Sequence, residues 1–146
     1  MPDDASACPD RARRRPCGVR LRPATGAAAG AARGAGLVRC AIPALQAAWT
    51  IGAEDGPGPD VLRVRLASGG PIPPHIHPDE HYVTVLSGTI HVGFGDTIDE
   101  ARLVAVPAGA IYVAPAGVAH YGWARNGAAE YQEAGVGSTA SRILPR

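Results

Sequence analysis

Alternation of apolar and polar residues with a period of two runs through the second half of the chain. It begins in "VLRVRLA" (61–67) and continues in "HYVTVLSG" (81–88) and "TIHVGFG" (89–95). Successive side chains of a β-strand point to opposite faces, so this period predicts half-buried strands. The same pattern continues in four later segments, 101–109, 110–117, 119–125 and 129–137. Short strands separated by frequent turn residues predict an all-β domain, either a sandwich or a small barrel.

The segments between these strands are rich in turn residues. Residues 52–60, 68–74 ("SGGPIPP") and 96–100 ("DTIDE") are expected to form loops or turns. Residues 37–50 fit either a short helix or an entry strand, and Pro43 weakens a continuous helix.

The first part of the chain has a different composition. Residues 1–36 are rich in Arg, Ala and Gly without a hydrophobic period, so we expect this extension to be disordered. Its charge could indicate an arm that binds nucleic acid or a membrane surface. We favour an unstructured extension or a start codon assigned too early, because its basic residues are interrupted by Ala and Gly. The folded domain is therefore predicted at 37–146.

Charge and cysteine content narrow the function classes. The net charge is +1, and residues 41–146 show no basic stretch interleaved with aromatics, so nucleic acid is not an expected partner. The three cysteines, Cys8, Cys17 and Cys40, match no zinc-binding spacing, and we interpret them as incidental. No run of 18 apolar residues predicts a membrane helix, and no clear signal peptide precedes the domain. We expect a cytoplasmic protein, with a periplasmic one as the alternative.

Histidines carry the chemistry of this sequence. Only five are present, and His75, His77 and His81 fall within seven positions. His75 and His77 point to the same side if "HIH" is extended, which the preceding prolines favour. Imidazole is a common ligand of divalent metals, and His120 at the start of a later strand could complete a site. A surface cluster of histidines without a metal is the alternative.

These residues also carry a resemblance. Residues 75–88 resemble the first motif of the cupin superfamily, G-x5-HxH-x3–4-E-x6-G, at His75, His77 and Gly88. Residues 109–120 resemble the second, G-x5-PxG-x2-H-x3-N, at the residues Gly109, Pro115, Gly117 and His120. The resemblance covers residues 58–137 and is closest to small bacterial single-domain cupins. It implies a cupin double-stranded β-helix, also called a jelly-roll barrel, with one divalent metal ion near its centre.

Two positions depart from the family motifs. His81 stands where the family usually has a glutamate ligand, and some small cupins are similar in having His there. We expect His75, His77, His81 and His120 to be the metal ligands, with Glu80 as the alternative to His81. A second departure is Ala124 at the usual asparagine position, which is structural in the family.

Four imidazoles leave a bound divalent ion with a net charge of +2, whereas a glutamate would lower it to +1. The more positive centre is the stronger Lewis acid. Resemblance to cupins favours Mn or Fe, and donor type alone leaves Ni, Cu and Zn open.

The predicted barrel interior is dry, with a small pocket beside the metal. The expected interior residues are Val83, Val85, Ile90, Val92, Val104, Val113 and Val118. The candidates for the pocket wall are Tyr112, Tyr121, Trp123, Tyr131 and Gln132, some of which must face solvent instead. His91 is expected on the outer face. Glu130 and Glu133 could serve as a general base, but we expect both to be solvated on an edge strand.

Two function classes follow. The favoured hypothesis is a metal-dependent enzyme on a small organic molecule, by dioxygenase-type chemistry or Lewis-acid isomerase or lyase chemistry. The alternative is a non-catalytic module that binds a small ligand or a metal. We expect a homodimer, because small cupins resemble one another in pairing through sheet edges, and pairing protects those edges.

Overall fold

The computed structural model describes residues 36–39 and 41–145, and the extension predicted to be disordered lies almost wholly outside the described residues. The described chain folds into antiparallel strands and one short 3-10 helix, Glu100–Arg102. The strands are β1 Val38–Arg39, β2 Leu45–Ile51, β3 Pro59–Leu66, β4 Pro71–Ile76, β5 His81–Ser87, β6 Thr89–Phe94, β7 Val104–Pro107, β8 Ile111–Ala114, β9 His120–Trp123, β10 Ala129–Val136 and β11 Arg142–Ile143. In this part of the chain, no helix has the length and apolar character needed to span a bilayer.

Two sheets face each other as a jelly roll. One has the strand order β1-β2-β3-β10-β5-β8 and the other β11-β4-β9-β6-β7. Burial alternates strictly along β10, where Ala129, Tyr131, Glu133 and Gly135 are buried and the residues between them are not. The inner faces therefore supply the core, as expected when two sheets pack face to face.

The predicted strands are found, with two differences in the first half of the domain. Within 37–50, Val38–Arg39 form β1 and residues 45–50 belong to β2, so the described residues of this range contain strands in place of the helical alternative. The prediction of a turn at 68–74 was wrong beyond Gly70, because β4 begins at Pro71. Proline cannot donate to a sheet ladder, and here a register shift between Ile72 and His75 accommodates Pro73 and Pro74.

Four of the predicted interior residues are confirmed and three are wrong. Val83, Val85, Ile90 and Val92 are at most 3% exposed. The residues that face outwards are Val104, Val113 and Val118, which are 65%, 39% and 41% exposed. Strand parity explains Val113, because its neighbours on β8 are half-buried Tyr112 and buried Ala114. Val104 lies on β7, one of the two edge strands of its sheet.

Alanine substitution of Val83 and Val113 measures this difference. Val83→Ala is expected to lower the free energy of unfolding by about 2 kcal/mol, because it removes buried methyl groups and leaves a cavity. Val113→Ala is the matched control on the neighbouring strand, and its effect should stay within about 0.5 kcal/mol. Urea unfolding checks both values, and equal losses would contradict the assignment of Val113 to the outer face.

Candidate metal centre

Two histidines of the site come from the end of β4. His75 lies within the strand and His77 follows directly after it, and they are 8% and 4% exposed. Their rings meet edge to face with centroids 4.9 Å apart. The alternation of an extended segment thus places both imidazoles on the inner side, as the sequence predicted.

A third histidine reaches the same point from β9. His120 is the register partner of His75, and their ring centroids lie 4.2 Å apart. The centroid of His120 is 5.3 Å from that of His77. Each of the three rings offers one nitrogen, and these nitrogens all lie within 4.8 Å of one another. The two separated motifs therefore converge on one buried cluster.

Backbone carbonyls fix the orientation of two of these rings. His75 Nδ1–H donates to the Pro73 carbonyl at 2.9 Å, and His120 Nδ1–H donates to the Val118 carbonyl at 3.1 Å. His77 Nδ1 lies 3.3 Å from Ser141 Oγ. With Nδ1 engaged, each ring keeps Nε2 for a ligand, and such partners are typical of metal-binding histidines.

The cluster fits a divalent cation. The Nε2 atom of His77 is buried and has no hydrogen-bond partner. Burial lowers the pKa of both His77 and His120 to about 4, with neighbouring histidines contributing, so both rings are neutral near pH 7. Neutral imidazole with a free lone pair is the form that coordinates metal ions.

His81 adjoins this cluster from the start of β5. It is 3% exposed, and its ring centroid lies 4.2 Å from that of His77. Its Nε2 is 2.8 Å from Thr139 Oγ1 and 3.1 Å from Asp79 Oδ2. Its Nδ1 is buried without a hydrogen-bond partner and is the atom left for a metal.

Glu80, the alternative to His81, points elsewhere. Its side chain is exposed and accepts a hydrogen bond from the Tyr82 hydroxyl. It is not part of either group of potential ligands found among the described residues. The geometry therefore supports His81 over Glu80 as the member of the site at this point of the chain.

Glu133 is a site residue that the sequence analysis misplaced. β10 lies between β3 and β5 and is not an edge strand, and Glu133 belongs to the inward-facing residues that alternate along it, with 9% exposure. Its carboxylate forms a second group of potential ligands with His77 and His81, again within 4.8 Å. The period of two that starts from buried Tyr131 is the signal that could have placed it inside. Glu130, by contrast, faces outwards and pairs with Arg63 and Arg65.

Charges of opposite sign are paired around His81. Burial opposes the charged form of its ring, but Glu133, Asp79 and Asp60 raise its pKa. Burial likewise disfavours the charged form of Glu133, but His81 and the other histidines lower its pKa. Glu133 is therefore an anion at neutral pH, held inside the barrel by imidazoles.

Gly135 leaves the room that this arrangement needs. It is the next inward position of β10 after Glu133, and a Cβ there would lie 2.7 Å from Asp79 Oδ2 and 3.0 Å from His81 Cδ2. A contact under 3.0 Å would force the Asp79 carboxylate to move. Glycine at this position therefore allows Asp79 to reach His81.

A pocket of about 370 Å³ opens beside the histidines. The apolar part of its wall includes Leu45, Ala47, Leu62, Val64, Ile72 and Tyr131, and its polar part includes His75, His77, His81 and Glu133. The C-terminal segment Thr139–Ser141 closes one side and contacts two of the histidines. This size and composition suit a small organic molecule.

Strand parity decides which of the other predicted wall residues face inwards. Tyr112 packs against the core, and burial together with the nearby Glu133 carboxylate raises the pKa of its hydroxyl. Tyr131 lines the pocket. The structure thus keeps two tyrosines at the inner face.

The remaining three predicted wall residues lie away from the pocket. The Tyr121 hydroxyl bonds the backbone of Asp99, Trp123 Nε1 donates to the Gly69 carbonyl, and Gln132 accepts from Arg63. Each alternates with an inward-facing residue, namely His120, Gly122 and Glu133. By strand parity they lie on the faces turned away from the pocket, and Tyr121 is nevertheless only 1% exposed there, with its hydroxyl bonded to the Asp99 segment.

Acid should destabilise the metal-free protein. The folded-state pKa values of His77 and His120 are lowered from 6.5 to about 4, so below pH 6.5 the unfolded chain binds protons that the folded chain does not. Their contribution to stability is complete above pH 6.5 and declines as the pH falls. His81, with a raised pKa, has the opposite sign, because its stabilisation is lost as the pH rises through its folded-state pKa.

We therefore expect the melting temperature of the chelator-treated protein to fall between pH 6.5 and 5. His120→Asn should flatten this slope, because it removes one of the two groups that must remain neutral. A melting temperature that stays level over this interval in the unsubstituted protein would contradict the burial of neutral imidazoles.

Comparisons with known proteins agree with this architecture. The family model of the cupin domain matches residues 62–131. Germin-like protein 1-1 of Oryza sativa subsp. japonica is 37% identical over 65 residues, which are 44% of this chain and 30% of that protein. The chain thus spans about 30% of the length of the curated relatives it matches.

Solved structures show the same fold. The polyketide cyclase RemF from Streptomyces resistomycificus has a TM-score of 0.60 at 20% identity, covering 78% of this chain and 77% of its own. Oxalate oxidase in complex with the substrate analogue glycolate has a TM-score of 0.55 at 26% identity, covering 68% and 55%. The double-stranded β-helix, the match to the cupin-domain model and the two histidine-bearing segments together establish that this chain belongs to the cupin superfamily.

Proposed function

We propose that this protein is a divalent-metal-dependent enzyme that acts on a small organic molecule. The observation that carries the proposal is the convergence of three buried imidazoles, from His75, His77 and His120, beside an apolar pocket that His75 and His77 help to line. His81, which adjoins them through Nδ1, is the proposed fourth histidine ligand. Burying imidazole nitrogens without hydrogen-bond partners lowers the free energy of unfolding, and a bound cation would offset this loss.

The chain's own residues set the conditions for that chemistry. Backbone carbonyls hold the Nδ1–H of two rings, so the imidazoles are preoriented and need little rearrangement on binding. The apolar wall excludes water and favours the carbon skeleton of a small substrate. When bound, a first-row divalent ion would supply a Lewis acid, and Mn or Fe would add reactivity towards dioxygen. Mn or Fe is the favoured cofactor, with Ni, Cu and Zn as alternatives.

Similarity to known enzymes supports an oxidoreductase. Oxalate oxidase shares the fold at 26% identity, and its structure is in complex with the substrate analogue glycolate, a small hydroxy acid. We therefore place dioxygenase-type chemistry first and Lewis-acid isomerase or lyase chemistry second. A carboxylate or carbonyl oxygen on the substrate is the expected group to approach the cation.

Reconstitution tests this proposal. The purified protein is analysed for metals, stripped, loaded with each of the five ions, and incubated in air with 1,3-dicarbonyl, thiol, phenolic and small carboxylate substrates. Dioxygen uptake or a new product with at least one metal is the expected result. Loss of turnover in the metal-free protein serves as the control. Absence of turnover with every metal, combined with a ligand-dependent rise in melting temperature, would favour the non-catalytic binding module.

Association and location are also proposed. The outer face beside edge strand β8 exposes Ile111 and Val113, which are 63% and 39% exposed, and β7 exposes Val104 at 65%. Apolar edges of this kind support the proposed homodimer. We propose a cytoplasmic location, with a small molecule as the partner of the site.

A further inference from the structure

The two groups of potential ligands share one residue. His77 belongs to the group with His75 and His120 and also to the group with His81 and Glu133. Two nitrogens on the shared side, His77 Nε2 and His81 Nδ1, are buried without hydrogen-bond partners. The Glu133 carboxylate lies next to both, yet its Oε2 is 3.5 Å from His81 Nδ1, which is too long for a strong hydrogen bond. His77 Nε2 and the Glu133 carboxylate thus stand close together as buried electron-pair donors, and without a cation His81 Nδ1 is the group within ion-pair distance of that carboxylate.

Glu133 is held in this position by the sheet itself. It pairs with Val83 on β5 and with Leu62 on β3. Gly135, two residues later on β10, faces the same side of the sheet. Among the described residues, His81 is the ion-pair partner found for its carboxylate. A buried carboxylate without an arginine partner is costly unless other charges compensate it.

The usual cupin glutamate is missing at position 81, and a glutamate is present across the site. Resting on the proposed metal site, we propose that Glu133 is a metal ligand, the carboxylate that this chain provides from β10 in exchange for the glutamate of the cupin motif. The ligand set then combines the histidines with one carboxylate oxygen. The net charge of the centre with a divalent ion becomes +1, which is the charge the family motif gives. Because a carboxylate oxygen is a harder donor than an imidazole nitrogen, this ligand set should favour hard ions such as Mn(II).

Mn(II) binding by the full-length chain tests the proposal. Glu133→Gln keeps the volume of the side chain and removes the charge, and it should weaken Mn(II) binding by at least about 100-fold, because loss of a residue that only supports a ligand already costs about 10- to 100-fold. Ni(II) binding, which depends more on imidazole, should change less. Glu130→Gln on the outer face of the same strand is the matched control, and its Mn(II) affinity should equal that of the unsubstituted chain. Affinities come from competition with a chromophoric chelator, after circular dichroism has shown that each variant is folded.

A double variant that moves the carboxylate from position 133 to position 81 provides the second measurement. His81→Glu in the Glu133→Gln background restores the family motif and should recover most of the lost Mn(II) affinity. The Co(II) absorption spectrum should change in Glu133→Gln and not in Glu130→Gln. The loss that is larger for Mn(II) than for Ni(II), together with the changed Co(II) spectrum, distinguishes a ligand from a residue that only positions His81, because a positioning role predicts equal losses for the two metals.

Two results would overturn the assignment. One is Mn(II) affinity within about twofold of the unsubstituted chain in folded Glu133→Gln, with the same Co(II) spectrum. The other is an equal loss of affinity for Mn(II) and Ni(II). If the unsubstituted chain binds neither ion, the proposed metal-dependent function itself fails, and this outcome is separate from the two above. If Glu133→Gln does not fold, Glu133→Asp, which keeps the charge but shortens its reach, takes its place with the same expected loss.

Discussion

Replacing His120 by alanine is expected to weaken divalent-metal binding by at least about 100-fold. Loss of a residue that merely supports a ligand typically costs 10- to 100-fold in affinity, so removal of a direct ligand should cost at least the upper value. His120 is the single histidine contributed by the second motif, and its ring centroid lies 4.2 Å from that of His75. No other described imidazole on β9 can replace it. Isothermal titration or chelator competition with Mn(II) and Ni(II) measures the loss.

His91→Ala is the matched control for this substitution. His91 lies on β6 opposite Trp123, on the outer face, whereas its neighbours Ile90 and Val92 are buried in the core. Its removal changes the histidine content by the same amount and should leave metal affinity within about twofold. Equal losses in His120→Ala and His91→Ala would show that binding is nonspecific and that the convergent site is not the cause.

The second large effect is expected from Gly88→Ala, at the turn between the two sheets. Gly88 has a φ of +71°, and an added Cβ would lie 2.2 Å from the carbonyl oxygen of Ala128. The left-handed conformation alone costs about 1–2 kcal/mol for alanine, and the overlap with backbone adds to this cost. We expect the free energy of unfolding to fall by about 3 kcal/mol or more. Urea unfolding monitored by tryptophan fluorescence gives the value.

Gly109→Ala separates the cost of the left-handed backbone conformation from the cost of the steric overlap. Gly109 also has a positive φ, +86°, but nothing lies within 4 Å of its added Cβ. Its loss should be limited to the conformational cost of about 1–2 kcal/mol. A loss for Gly88→Ala no larger than that for Gly109→Ala would contradict the close approach of the 88 turn to the start of β10.

Local patterns in the sequence were sufficient to predict most strands and the histidine cluster. Each strand carries its own period of two, and the HxH spacing needs only an extended backbone to bring both rings to one side. The spacing of the second motif likewise anticipated His120. These features depend on neighbours along the chain, which is why they can be inferred without the fold.

Long-range neighbours decided what could not be predicted. Whether Glu133 is solvated depends on β10 lying between β3 and β5, which its own segment does not encode. Tyr121 and Trp123 alternate with inward residues, and the choice of face is fixed by the pairing of β9 with β4 and β6. The contacts of Thr139 and Ser141 with the histidines require the C-terminal segment to return to β4, which sequence periodicity does not reveal.

Crystals grown with Mn(II) or Co(II) and measured at the absorption edge of the metal give the most direct test of the metal centre. The account predicts one anomalous peak inside the barrel, at about 2.0–2.3 Å from ring nitrogens of His75, His77 and His120. Peaks restricted to the surface, with these three rings unliganded in a protein saturated with metal, would contradict it.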